Sequence, residues 1–192
     1  NSSEIDKSKI QKEYQLYLGT GLILSICLNY FSTDIVLLLF PGKYGPGAEV
    51  VGLLSLSAVF YGYILLSQIG ITKSENYRVL SFVEFVTIAV NIGLNFMLIP
   101  VIGIVGAAVS TTCCIILKNV INLIISEKRF SLNISLTRLL VQTLIGGIAI
   151  ISNLILDNNL AITIISLFCI LSLLVISVPF GFIKTIINKS FK

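Results

Sequence analysis

The sequence contains no histidine and no tryptophan, a single methionine, and few charges: only 11% of its 192 residues are Asp, Glu, Lys or Arg. Each shortage removes a class of function. Without histidine, the commonest general acid–base group and the commonest metal ligand are both missing. The cysteines Cys27, Cys113, Cys114 and Cys169 sit inside apolar stretches without C-x-x-C spacing, so they read as small buried hydrophobes rather than a redox pair or a zinc site. No glycine-rich phosphate loop is present. The basic residues are scattered among connections instead of forming a patch with interleaved aromatics, which argues against nucleic acid as a partner. The expectation is a protein that is not an enzyme and holds no resident cofactor.

What is there in abundance is apolar sequence. Hydrophobic residues make up 56% of the chain and the mean hydropathy is +1.01, whereas soluble domains carry about 25% charged residues. Six apolar runs stand out, at 16–32, 50–71, 79–99, 104–126, 139–156 and 160–183. Each has roughly the 17–25 residues needed to cross about 30 Å of hydrocarbon at 1.5 Å per residue. Barrel strands would alternate apolar and polar residues, and these runs do not. The fold class expected is all-α: a polytopic transmembrane bundle of six spans. The chain begins with Asn rather than Met, and the reading is of a piece of a longer protein.

Charge in the connections sets the orientation. Lys7, Lys9 and Lys12 precede the first run, Lys73 and Arg78 lie between the second and third, and Lys128, Arg129 and Arg138 lie between the fourth and fifth. Lys184, Lys189 and Lys192 follow the sixth. The alternate connections hold only Lys43 among bases. Basic connections stay on the cytoplasmic side, so both ends are expected to be cytoplasmic in a multi-pass protein of the cytoplasmic membrane. The net charge of +4 records this bias. The expected organisation is a polar lead-in at 1–15, a four-helix core at 16–126, a cytoplasmic loop at 127–138, two further helices at 139–183 and a tail at 184–192.

Polar residues inside the runs fall into stripes. At 100° per residue, Ser81, Glu84, Thr87, Asn91 and Asn95 share one face of the third run, within an arc of roughly 120°. Thr111, Cys114, Lys118 and Asn122 share a face of the fourth, and Arg138, Gln142, Gly146, Ala149 and Asn153 a face of the fifth. Ser57, Tyr61 and Gln68 form a shorter stripe on the second. The first and sixth runs are plainer and are expected at the periphery. Such stripes have two readings, helix–helix packing or the lining of a polar passage. The charged residues weigh towards passage, since an ion near a helix centre costs about 2.5–3.5 kcal/mol unless it faces protein or water. Glu84 lies about 7–8 Å, and Lys118 about 12 Å, from the cytoplasmic ends of their helices. The turn around Pro100 and Gly103 is short, so the third and fourth helices should be antiparallel neighbours, with Glu84 approaching Lys118 in a cleft open to the cytoplasm.

The stretch Asn91 to Ala108, NIGLNFMLIPVIGIVGAA, carries a family likeness. Its Asn-x-x-x-Asn, Leu-Ile-Pro and Gly-Ile-x-Gly-Ala-Ala resemble the late portion of the polysaccharide and oligosaccharide flippases of the multidrug/oligosaccharidyl-lipid/polysaccharide exporter superfamily. Leu38-Leu39-Phe40-Pro41-Gly42-Lys43-Tyr44 with Ala48 is similar to that family's "LLFG…Y…A" segment, with Pro41 as an addition. Ile71-Thr72-Lys73 is similar to its Gly-Lys cytoplasmic turn, with Thr72 in place of Gly. The likeness covers roughly residues 10–130. It implies the C-terminal portion of a two-lobed transporter with pseudo-related halves, whose N-terminal half is missing from this sequence. The cargo implied is polyprenyl-pyrophosphate-linked oligosaccharide, moved by alternating access during polysaccharide biosynthesis. It also implies roles: Lys118, Arg78 and Arg138 attracting the pyrophosphate, and Asn91, Asn95 and Gln142 bonding sugar hydroxyls, with Asn122 on the same cavity stripe. Glu84 would couple H+ or Na+ to the conformational change or neutralise Lys118. Alternatives are a multidrug or lipid II exporter of the same superfamily and, from another class, a non-transporting membrane scaffold.

Overall fold

The structure, a computed structural model, describes residues 2–40, 44–129, 136–156 and 159–177. Expectations that fall on the tail, on Lys43 and on most of the loop before Leu136 lie outside the described residues. Helix α1 (Ser2–Tyr30) is continuous from the polar lead-in into the first apolar run. Beyond Phe31 the chain bends by 65° into α2 (Ser32–Leu39), a helix inside the connection between the first and second apolar runs. Helix α3 (Ala48–Ser67) breaks at Gln68, where φ is −97° and ψ 3°, and resumes as the short α4 (Ile69–Lys73). Next comes the 53-residue α5 (Tyr77–Arg129), followed by α6 (Leu136–Ile155) and α7 (Asn159–Ser177). There is no strand among the described residues.

Helix α5 is two helices in one. Ile102 (φ −128°, ψ 18°) and Gly103 (φ 56°, ψ −134°) leave helical geometry, two residues after Pro100. Gly103 sits where only a residue without Cβ is comfortable, and that residue turns the chain back on itself. An outgoing limb, 77–101, and a returning limb, 104–129, lie antiparallel, each about 38 Å long. Gly106 fits so closely under the outgoing limb that a Cβ there would lie 2.6 Å from the Leu98 carbonyl oxygen.

Among the described residues, three helices are long and apolar enough to cross a membrane, or four if the bent α1–α2 pair counts as one span. The folded-back α5 is one of these, and the apolar part of α6, Leu139–Ser152, is shorter than a span. The all-helical, membrane-type architecture therefore stands, and the count of six spans is not reached on length and composition.

The packing order differs from the sequence expectation in one respect. Helix α1 is not peripheral: it packs against α3, α6 and α7. Tyr14, Leu18, Leu22 and Ile26, four residues apart, form one buried row through the core. The outgoing limb of α5 is the outlying element, with only Val83 and Thr87 buried in it. Phe82, Phe85, Phe96 and Met97 project outward, each more than two-thirds exposed.

Candidate functional site

The two limbs of α5 and helix α3 enclose a groove of about 200 Å³, lined by Tyr61, Ile64, Glu84, Thr87, Ile88, Asn91, Thr111, Cys114, Ile115 and Lys118. Three of the stripes meet there. The outgoing limb contributes Glu84, Thr87 and Asn91, the returning limb Thr111, Cys114 and Lys118, and α3 contributes Tyr61. The fold-back at Gly103 makes this possible, because it sets Glu84 opposite Lys118 across the hairpin. Lys118 Nζ forms an ion pair with Glu84 Oε2, the lysine being 16% and the glutamate 49% exposed. The acid thus looks out towards the groove mouth and the base lies behind it.

Higher in the hairpin the asparagines form a ladder. Ser110 Oγ donates to Asn95 Oδ1 at 2.6 Å, and Asn95 Nδ2 donates to Asn91 Oδ1 at 3.0 Å. Each acceptor is used by the next residue along, which leaves the Asn91 amide NH2 as the ladder's free end in the groove. Thr87 and Thr111 donate back to carbonyls of their own helix, Val83 and Ala107, so their lone pairs rather than their protons face the groove. The groove therefore presents one cation, one anion, amide donors and an apolar wall of Ile64, Ile88 and Ile115.

Other candidates lie elsewhere. Asn95 supports the ladder from outside the groove lining. Arg78 is exposed near the start of the outgoing limb, below the groove, at the end of the bundle that also carries Lys73, Lys128 and Arg129. Arg138 is in α6, and its side chain lies outside the described residues. Two expectations are corrected. Gln142 does not line the groove: it is 2% exposed, and its Nε2 donates to Ser177 Oγ on α7 at 3.1 Å. The described residues of its stripe, Gln142, Gly146 against Leu22 and the buried Ala149, lie on α6 where it packs on α1 and α7. Asn122 is also absent from the groove lining: it is 1% exposed, and neither its Nδ2 nor its Oδ1 has a hydrogen-bond partner.

A polar seam that the sequence reading missed joins α3 to the returning limb. Thr112 Oγ1 bonds Ser57 Oγ at 2.7 Å; Asn119 Nδ2 donates to the Phe60 carbonyl at 2.8 Å and its Oδ1 accepts from Ser67 Oγ at 3.0 Å. Ser126 Oγ accepts from the Gly70 amide at 2.6 Å. Thr112, Asn119 and Ser126 recur every seven residues, the spacing of a straight seam along one helix face, and their partners Ser57, Phe60 with Ser67, and Gly70 rise in the same order, so the two chains run the same way. That spacing is legible in the sequence and could have separated this face from the groove face.

No protein family matches the chain, and no solved structure matches it. A stretch of 103 residues is 32% identical to the Uncharacterized membrane protein MJ1068 of Methanocaldococcus jannaschii, covering 51% of this chain and 19% of that protein. The chain thus spans about a fifth of the length of the relative it matches. Together with the apolar helices, this similarity identifies a helical membrane protein.

Proposed function

We propose that this chain is one lobe of a flippase that carries a polyprenyl-pyrophosphate-linked oligosaccharide across the cytoplasmic membrane for polysaccharide assembly. In this reading the chain makes six crossings with both ends in the cytoplasm, and a second lobe from the preceding part of the same protein closes over the groove. The observation that carries the reading is the groove itself, where a lysine, a glutamate and an asparagine amide face one space between otherwise apolar helices. Charges so placed are expensive in a membrane unless they line a polar route. Along the outgoing limb Asn91 lies seven residues above Glu84, or about 10 Å. That is roughly the reach of a pyrophosphate and its first sugar, with the phosphates at Lys118 and sugar hydroxyls at Asn91. Arg78, Lys73, Lys128 and Arg129 outnumber the acids Glu75 and Glu127 at this end, which leaves the cytoplasmic mouth net positive and draws the headgroup in.

The clustering of those four bases at one end of the bundle supports the orientation. The second reading, a non-transporting scaffold, is favoured by one specific feature: the α3 seam and the Gln142–Ser177 contact satisfy their polar groups internally. Depleting the whole protein separates the two. Accumulation of lipid-linked oligosaccharide on the cytoplasmic leaflet supports the flippase; an unchanged leaflet distribution supports the scaffold.

A further inference from the structure

Glu84 and Lys118 are the charged residues that line the groove, and they are bound to each other. A ligand with an anionic head therefore meets no free cation in the groove when it arrives. The other donors on offer are the Tyr61 hydroxyl and the Asn91 amide, whose oxygen the Asn95 amide already holds. The groove so defined suits a ligand rich in acceptors, and its Ile64, Ile88 and Ile115 wall suits one with a hydrocarbon chain attached. The pair is also open to exchange: the carboxylate is 49% exposed, and exposed ion pairs are worth little.

The same pair also links the outgoing limb to the returning one. Few side chains of that limb are buried, namely Val83 and Thr87. Its polar ties to the returning limb are the Asn95–Ser110 hydrogen bond and the Glu84–Lys118 pair. The first lies close to the turn. The second lies nineteen residues from Gly103 and seven from Tyr77, which follows a three-residue link from α4; the Gly70 amide of α4 bonds Ser126 and Ser74 of the link accepts from Arg129, so the limb is anchored at both ends and the pair is its tie in between.

From this we infer that Glu84 is a built-in competitor for the ligand's anionic head: a prenyl pyrophosphate takes Lys118 by displacing the Glu84 carboxylate, and the displacement loosens the outgoing limb from the returning one between its two anchored ends. The inference rests on the flippase reading for the ligand's class, and its mechanical half rests on the hairpin alone. The exchange makes and breaks no covalent bond. Its consequence is coupling, since ligand binding and limb loosening use the same lysine.

Ile88 lines the groove and is 51% exposed, whereas the native Cys114 thiol is buried, so Ile88→Cys reports occupancy. In the whole protein, in lipid nanodiscs with the native cysteines replaced, the rate at which a maleimide modifies the Ile88→Cys thiol is followed against farnesyl pyrophosphate, inorganic pyrophosphate and farnesol. Farnesyl pyrophosphate should protect that thiol at lower concentration than pyrophosphate, and farnesol should not protect it. Glu84→Gln should lower the half-protecting concentration about two- to fivefold, the range that an exposed pair is worth. Glu84→Asp, which keeps the charge, should restore it towards the original value. Spin labels at Phe85 on the outgoing limb and Leu65 on α3, both exposed, should move apart on adding farnesyl pyrophosphate and should already be apart in Glu84→Gln. An unchanged or raised half-protecting concentration in Glu84→Gln, or a label distance insensitive to both ligand and mutation, overturns the inference. Equal protection by pyrophosphate and farnesyl pyrophosphate overturns the lipid assignment, and protection by farnesol overturns the anionic one. If Glu84→Gln tightens binding while depletion leaves the lipid-linked oligosaccharide in place, the flippase reading fails and the competitor stands. If translocation needs Lys118 but Glu84→Gln leaves binding unchanged, the reverse holds.

Discussion

Two asparagines one turn apart on the returning limb, Asn119 and Asn122, are both 1% exposed, yet they should respond in opposite ways to the same substitution. Asn119 joins two helices: it donates to the Phe60 carbonyl at 2.8 Å and accepts from Ser67 Oγ at 3.0 Å, besides a local bond to the Ile115 carbonyl at 3.0 Å. Leucine has a similar branched shape and none of these bonds. Interhelical hydrogen bonds in membrane proteins average about 0.6 kcal/mol and soluble ones about 1 kcal/mol. Two of them lost, with the buried Ser67 hydroxyl losing one partner, puts Asn119→Leu at about 1–3 kcal/mol less stable. Asn122 has no bond to lose, because both its amide atoms are buried without partners. Removing an unsatisfied buried amide relieves a penalty of about 1–3 kcal/mol, set against a modest overpacking cost from the larger side chain. Asn122→Leu should therefore be neutral or stabilising, leaving a gap of about 2 kcal/mol between the two variants. Reversible unfolding in mixed micelles at increasing SDS fraction measures both on one scale. Equal destabilisation by the two would refute the reasoning, because it would mean that the Asn122 amide makes bonds of its own.

Three further outcomes follow from the hairpin and its orientation. Gly103→Ala meets no neighbour within 4 Å, so its cost is backbone strain alone, about 1–3 kcal/mol in the same unfolding measurement; an unchanged stability would mean that position 103 is not held at φ 56°. Gly106→Val should cost about 1–3 kcal/mol in the same measurement by driving the limbs apart against the Leu98 carbonyl, and an unchanged stability would mean that the limbs are not in close contact there. A cysteine at Ile102 should react with an impermeant maleimide from outside intact cells, whereas one at Ser74 should react only after permeabilisation; the opposite pattern would invert the topology.

How much of this was legible in the sequence depended on which physical rule each residue answered to. The hairpin was readable because Pro100 and Gly103 are local instructions, and the small residue Gly106 marks a close approach whatever surrounds it. Glu84 and Lys118 were readable because a charge in an apolar helix has few places to go. The allocation of polar stripes was not readable in full. The returning limb has two polar faces, one with Thr111, Cys114 and Lys118 and another with Thr112, Asn119 and Ser126, and helical spacing alone does not say which faces a groove and which a neighbour. Asn122 was assigned to the first on angle and sits within the protein instead. Gln142 failed for the same reason, since its true partner, Ser177, is 35 positions away on another helix. The central place of α1 was missed because its buried row of Tyr14, Leu18, Leu22 and Ile26 looks, in sequence, like any lipid-facing row. In a membrane protein both the core and the lipid-facing surface are apolar, so hydrophobicity does not tell them apart.

The central claim is that Lys118 receives the anionic head of a lipid-linked cargo. Its most direct test is Lys118→Ala in the whole protein, at matched expression, with lipid-linked oligosaccharide measured separately on the two leaflets. Loss of a charge-assisted contact worth about 1.5–3 kcal/mol should slow translocation about ten- to hundredfold and leave the oligosaccharide on the cytoplasmic side. An unchanged leaflet distribution, with the protein stably inserted, would contradict the account.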